Sequence, residues 1–196
     1  MSEYVLILIS KVSTYSVQDS HKCHNIKTQL RYLLVTPGFQ YSYCLRHAQN
    51  ASNPITKVFW IIVLRLMMYY TSIQIPYQTS IAEGLKFGHW GTIVINPESK
   101  IGRNFAISHG CAVGNSLGKR KGVPTIGDNV VMNANSVVVG GVKIGNNVLI
   151  APNAFVNFDV PDNSIVIGNP GQIIRRDCSP SAKYIVYPVE KYINKK

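Results

Sequence analysis

Two histidines, His89 and His109, occupy the same place in a repeating six-residue pattern, and a basic triplet, Lys119-Arg120-Lys121, interrupts that pattern further on. An imidazole beside a groove can take the proton of a hydroxyl near neutral pH, and Lys and Arg side chains suit phosphate oxygens. The chain leaves the pattern at Gly114 and Asn115, so backbone amides there are free to donate to an oxyanion. Each feature also has a plainer reading: a lone histidine in a repeat is usually structural, and a basic loop is often only solvated. The five histidines are scattered with few carboxylates nearby and form no metal-ligand set.

The pattern that positions these residues runs from Ile75 to about Val160. An aliphatic or other apolar residue opens each hexad at Ile75, Ile81, Phe87, Ile95, Ile101, Ile107, Val113, Ile126, Met132, Val138, Ile144, Ile150 and Val156. Four positions on, the chain places smaller residues: Ser99, Cys111, Val130, Ser136, Val142, Val148 and Ala154. A strict period of six excludes an α-helix, whose apolar spacing is near 3.6. It predicts a parallel β-helix in which each hexad is a short strand plus a corner, and three hexads make one triangular coil. The openers face a narrow core and stack coil on coil at roughly 4.8 Å. Gly102, Asn104, Gly127, Asn129, Gly145 and Asn146 fall at corners, where positive φ is expected. Cys111, at a core phase, reads as a small buried hydrophobe.

Two breaks in register matter. Phe87 to Ile95 is two residues too long, and Val113 to Ile126 is seven too long. Such insertions go to surface loops, which often carry function. His89 lies beside the first break, and the basic triplet lies in the second. Both histidines are third in their hexads, one coil apart once the insertion is subtracted, so the spacing predicts that they stack on one face. His109 then has three readings: it orients His89, lines an acceptor pocket, or decorates the surface.

Three segments follow from the pattern: an N-terminal helical domain over 1–73, the β-helix over 74–174 and a C-terminal tail over 175–196. Helices are expected around His24–Leu34 and Thr56–Tyr70, separated by Pro37-Gly38 and Asn53-Pro54 as turns. The very apolar KVFWIIVLRLMMYY stretch is shorter than the ~20 residues of a membrane span. It reads as a buried or oligomer-facing helix, with an interfacial membrane helix as the alternative. Coils are expected over Gln74–Thr92, Ile95–Ala112, Val113–Val137 and Val138–Phe155, with VNFDVPDNSIVIGNP closing the open end. Composition is globular, 46% hydrophobic and 15% charged. The net charge of +11 suits a phosphate-bearing ligand, an acidic glycan or a membrane surface. No nucleic-acid module is visible. Four dispersed cysteines, and an apolar Val5–Ile9 preceded by Glu3 without a cleavage site, predict a cytoplasmic protein, at the inner face of the membrane if peripheral.

The ordered set GHWGTIVINPESKIG, KGVPTIGDNV and VPDNSIVIGNPGQII resembles the hexapeptide-repeat acyltransferases, among them serine acetyltransferase-like enzymes and capsular-polysaccharide or other sugar O-acetyltransferases. The resemblance covers about residues 70–175 strongly and TPGFQY more loosely. It implies a left-handed β-helix, a homotrimer that can pair into a dimer of trimers, and acetyl-CoA in a cleft between subunits, with no metal. It implies that His89 is the base, that Lys119, Arg120 and Lys121 meet CoA phosphates, and that the pantetheine arm runs along Asn133, Ala134 and Ala151. The family's carboxylate partner of the base falls on Gln74, its Asp before the base on Gly88, and its Arg-His pair on Gly122-Val123. An amide at Gln74 can still orient an imidazole. These departures point to a sugar or polysaccharide-precursor hydroxyl as the acceptor. The alternatives are serine O-acetylation and a non-catalytic trimeric scaffold.

Overall fold

The structure, a computed structural model, describes residues 34–185, 188 and 189. Fourteen of its fifteen short strands run parallel and stack into three faces. Face A holds β1 (Ile73–Gln74), β4 (Ile93–Ile95), β7 (Ala112–Gly114), β10 (Val137–Val139) and β13 (Phe155–Val156). Face B holds β2 (Ser80–Ile81), β5 (Lys100–Ile101), β8 (Thr125–Ile126) and β11 (Lys143–Ile144). Face C holds β3 (Lys86–Phe87), β6 (Ala106–Ile107), β9 (Val131–Met132), β12 (Leu149–Ile150) and β14 (Ser164–Ile167), edged by the antiparallel β15 (Gln172–Arg175). The chain visits A, B and C in turn, which is the triangular coil that the hexads predict.

All thirteen openers are buried, and so are the seven smaller residues four positions on. Registers such as Ile95 beside Val113 and Ile101 beside Ile126 place opener over opener. Burying an aliphatic side chain stabilises by about 1.5–3 kcal/mol, and here each also aligns its neighbours' strands.

The corners bear out the expectation at Asn104 and Asn129 and depart from it at the glycines and Asn146. Positive φ falls on Asn104, Asn129, Asn147 and Asn163, not on Gly102, Gly127, Gly145 or Asn146. These four, of six asparagines with positive φ, stack: Asn104, Asn129 and Asn147 each donate Nδ2 to the Oδ1 of the next, at 2.9–3.0 Å. The glycines instead permit close approach, since a Cβ on Gly127 would lie 2.9 Å from the Gly145 carbonyl carbon. Beside them, Asp128, Asn146 and Asp162 each accept from a backbone N–H of the preceding coil.

Helix α1 (Pro37–Asn50) corrects the reading of Pro37-Gly38 as a turn. Pro37 begins the helix because a first-turn N–H needs no intrahelical partner. Gly38 lets α1 approach β3, where an added Cβ would lie 3.0 Å from Phe87 Cβ. Helix α2 (Pro54–Thr71) starts as expected, its N-cap Asn53 accepting from Ile55 N at 2.8 Å. The helix expected around 24–34 lies outside the described residues except for its last position, as does Val5–Ile9.

Together the helices cover the first coil, whose outer strand edge would otherwise be unpaired. The Tyr41 hydroxyl donates to Ile75 O and accepts from Ile75 N, both at 2.9 Å. Buried Arg46 donates to Ile81 O and Ala82 O at 2.7 Å, and Gln49 Nε2 to Thr79 O at 2.9 Å. Burial raises the Tyr41 pKa, so the phenol stays neutral.

At the other end the coil runs further than VNFDVPDNSIVIGNP suggested. Val160 bridges to Ile144 and β14 pairs with β12, because Val160, four residues after Val156, and Val166, six further on, go on filling the core. Closure falls to β15. The tail wraps: Ile185 packs on Ala106, Val131 and Leu149 of face C, and Val189 N donates to Asn104 Oδ1 at 2.9 Å.

Two outcomes follow. Asn129→Val places a β-branched residue at φ 59° and breaks two ladder bonds; chemical denaturation should show a loss of about 2–3 kcal/mol. His47 stacks on Trp60 at 4.3 Å, and burial lowers its pKa. The unfolded chain therefore binds a proton first as pH falls through about 6.5. Thermal stability should drop below that pH in the native protein and drop less in His47→Phe.

Candidate active site

The corner between faces C and A carries His89. The ladder runs as far as Gly88, whose N–H donates to Ile107 O at 2.9 Å; the inserted residues then bulge outward, with Gly91 at φ 142°. One coil on, His109 sits in the corresponding turn, held by Gly110 N to Thr92 O at 2.7 Å and Asn135 N to His109 O at 3.0 Å. The two imidazoles meet edge to face, with ring centroids 5.7 Å apart at 71°. Both are exposed, beside exposed Trp90. Ser108 Oγ lies 3.4 Å from His109 Nδ1, a contact that spacing alone did not single out. Among the described residues neither ring has a carboxylate hydrogen-bond partner.

The same corner continues along the prism. Ser108 N donates to Met132 O, Asn133 N to Ile150 O, and Ala151 N to Val166 O, so Asn133 and Ala151 succeed Ser108 coil by coil. Ala134 follows His109 in the adjacent column, bonded to the next coil through Asn153 N. Asn133 also accepts from Ser136 Oγ at 2.7 Å and Cys111 Sγ at 3.0 Å through its carbonyl, which fixes the turn from inside. His89, His109, Asn133, Ala134 and Ala151 thus share one edge.

Gln74 does not join them. It lies on β1 opposite Val94, and its side chain lines a cavity of about 410 Å³ against α2 with Leu64, Arg65, Tyr69 and Tyr77. It makes no hydrogen bond to His89, so the expected orienting contact is missing: β1 enters face A from α2, and its exposed side chain meets that helix.

Gly114, Asn115 and the basic triplet lie on the opposite edge of face A. Asn115 is six positions after His109, at most about 20 Å of extended chain. The inserted loop is a small hairpin, with Ser116 and Gly122 exchanging backbone bonds at 3.0 and 3.1 Å. It lies on Gly140-Gly141, where a Cβ on Gly141 would be 2.6 Å from Lys121 O. This glycine pair went unremarked in the sequence, its signal being two glycines together in the coil following an insertion. Arg120 is committed within the chain, its Nη1 3.0 Å from Asp159 Oδ2. The Asp159 pKa is lowered by the Lys143 backbone N–H and by Arg120. Lys119 and Lys121 stay exposed at the hairpin tip, where phosphate oxygens could reach them.

Comparison with known proteins fits this arrangement. Residues 124–157 match the bacterial transferase hexapeptide (six repeats) model. The serine acetyltransferase of Helicobacter pylori (strain ATCC 700392 / 26695) is 33% identical over 150 residues, 74% of this chain and 85% of that protein.

The chain belongs to the serine acetyltransferase family.

Another family member, from Staphylococcus aureus (strain Mu50 / ATCC 700699), is 36% identical over 117 residues, 59% of this chain. The chain spans 54% of that relative's length. A solved serine acetyltransferase in complex with CoA superposes with a TM-score of 0.71 at 20% identity, covering 88% of this chain and 72% of that one, and shares the fold. The coil is accordingly the left-handed parallel β-helix of this family.

Gly141→Ala should lift the hairpin from its seat. Brief trypsin exposure should then cut at Lys119–Lys121 several-fold faster than in the native chain, with the melting temperature little changed.

Proposed function

We propose that this serine acetyltransferase family member transfers an acetyl group from acetyl-CoA to a hydroxyl, with His89 as general base. The observation that carries this is the exposed His89 imidazole, edge-on to His109, at the head of a corner that continues through Asn133, Ala134 and Ala151. His89 takes the hydroxyl proton as the oxygen attacks the thioester carbonyl. The C–S bond then breaks, and the thiolate of CoA takes the proton back from His89. Transfer is direct, without an acyl-enzyme. His109 is proposed to hold the His89 ring on one side and to line the acceptor site.

The donor's phosphates are assigned to Lys119 and Lys121, with Arg120 bracing the hairpin through Asp159. Amides at Gly114 and Asn115 are the proposed oxyanion donors. Because these groups and His89 lie on opposite edges of face A, the reading includes a homotrimer in which one chain's hairpin meets the next chain's histidine edge.

Serine is the acceptor that the named relatives support. A sugar hydroxyl is the second reading, favoured by Gln74 facing α2, by Gly88 and Val123 at positions where the family carries charge, and by the absence of a described carboxylate partner for either histidine. A neutral acceptor needs no groups for an ammonium and a carboxylate.

Acetyl-CoA-dependent thiol release measured with L-serine and with a panel of sugars separates the two. His89→Ala should lower the rate about 10²–10⁴-fold with the productive acceptor. Unchanged turnover in that variant would remove His89 as the base. Absence of CoA binding by the native chain would leave a non-catalytic scaffold.

A further inference from the structure

Helix α2 buries only Leu64 and Thr71 fully, and its other side is strongly apolar and open. Ile55, Val58, Phe59, Ile62, Leu66, Tyr69 and Tyr70 are all exposed, from 56% for Val58 and Ile62 to 80% for Ile55. At 100° per residue they fall within an arc of about 120°. Arg65 is exposed at the arc's edge, and the stripe from Ile55 to Tyr70 is about 24 Å long. Exposed apolar surface of that extent marks an interaction site.

What covers it is indicated by charge. No Asp or Glu occurs anywhere from residue 20 to residue 82, while Lys22, Lys27, Arg31, Arg46, Lys57 and Arg65 do. Among the described residues before Glu83 the charges are thus all cationic: Arg46 is buried, Lys57 sits over the Tyr77 ring, and Arg65 borders the apolar face of α2, within a chain of net charge +11. Two such helix faces would bring like charges together, whereas an anionic surface complements both the apolar stripe and Arg65 at its edge. Tyr69 and Tyr70 at the helix's end are of the amphipathic type enriched at the membrane–water boundary. Among the described residues no helix is long and apolar enough to cross a membrane, so the helix would lie in the interface plane.

We propose that the exposed face of α2 docks the protein on an anionic lipid bilayer. Ile55, Phe59, Ile62 and Leu66 enter the acyl boundary, and Arg65 reaches to lipid phosphates. Acetyl transfer between soluble substrates is unaffected, because none of these side chains is among the groups assigned to the acetyl-transfer site.

The test is co-sedimentation of the full chain with vesicles of phosphatidylcholine alone and of equimolar phosphatidylcholine and phosphatidylglycerol. The native chain should pellet with the mixed vesicles, and less so as salt rises. Arg65→Gln should weaken binding about fivefold. Ile62→Glu combined with Leu66→Glu should weaken it at least about tenfold. Both positions are exposed, so this variant should keep its melting temperature and its turnover; Phe59→Ser with Tyr70→Ser provides a second, milder pair. Failure to pellet with either vesicle, or equal binding to both, would overturn the proposal. So would velocity sedimentation showing that the double-Glu variant splits a larger assembly while vesicle binding persists, since the face would then belong to a second copy.

Discussion

The interior of this molecule is a single column of side chains, and every other feature obeys that restriction. Each coil has room for one inward residue per opener position and one smaller residue four places on. Such a column tolerates neither a gap nor an extra side chain, because packed interiors do not absorb either cheaply. Added chain can only leave at a corner. Both insertions do so, one carrying His89 outward and the other forming the hairpin of Lys119–Lys121. Reactive groups are thereby held by a rigid, repeating scaffold without disturbing it.

What could be read from residues alone divides along the same line. The openers, the three-hexad coil and the meeting of His89 with His109 were legible, because a period of six converts position in the chain directly into position in space. Corner chemistry was less so. Gly102, Gly127 and Gly145 are small for the sake of the next coil's backbone, not for φ, and only stacked coordinates show that. The helix from Pro37 was hidden because proline and glycine together signal a turn, whereas here one starts the helix and the other admits Phe87. Gln74 was placed by likeness to relatives, and its actual neighbour, α2, belongs to a region with no repeat to fix its position.

Edges of the prism receive unlike treatment. At the first coil, Tyr41, Gln49 and Arg46 supply hydrogen bonds that a further strand would have supplied. At the last, β15 turns back antiparallel and ends the stack. The two devices cover part of the strand edge at each end, reducing what is left as a template for another chain's strand.

The tail's return along face C alters how the molecule comes apart. Solenoids are ordinarily chains of nearest-neighbour links that can fray from either terminus one unit at a time. Here Ile185 spans three successive coils, and Val189 is tied to Asn104 near the opposite end. Loosening the final turn therefore strips support from the early ones, and the strap welds a modular stack into one cooperative body.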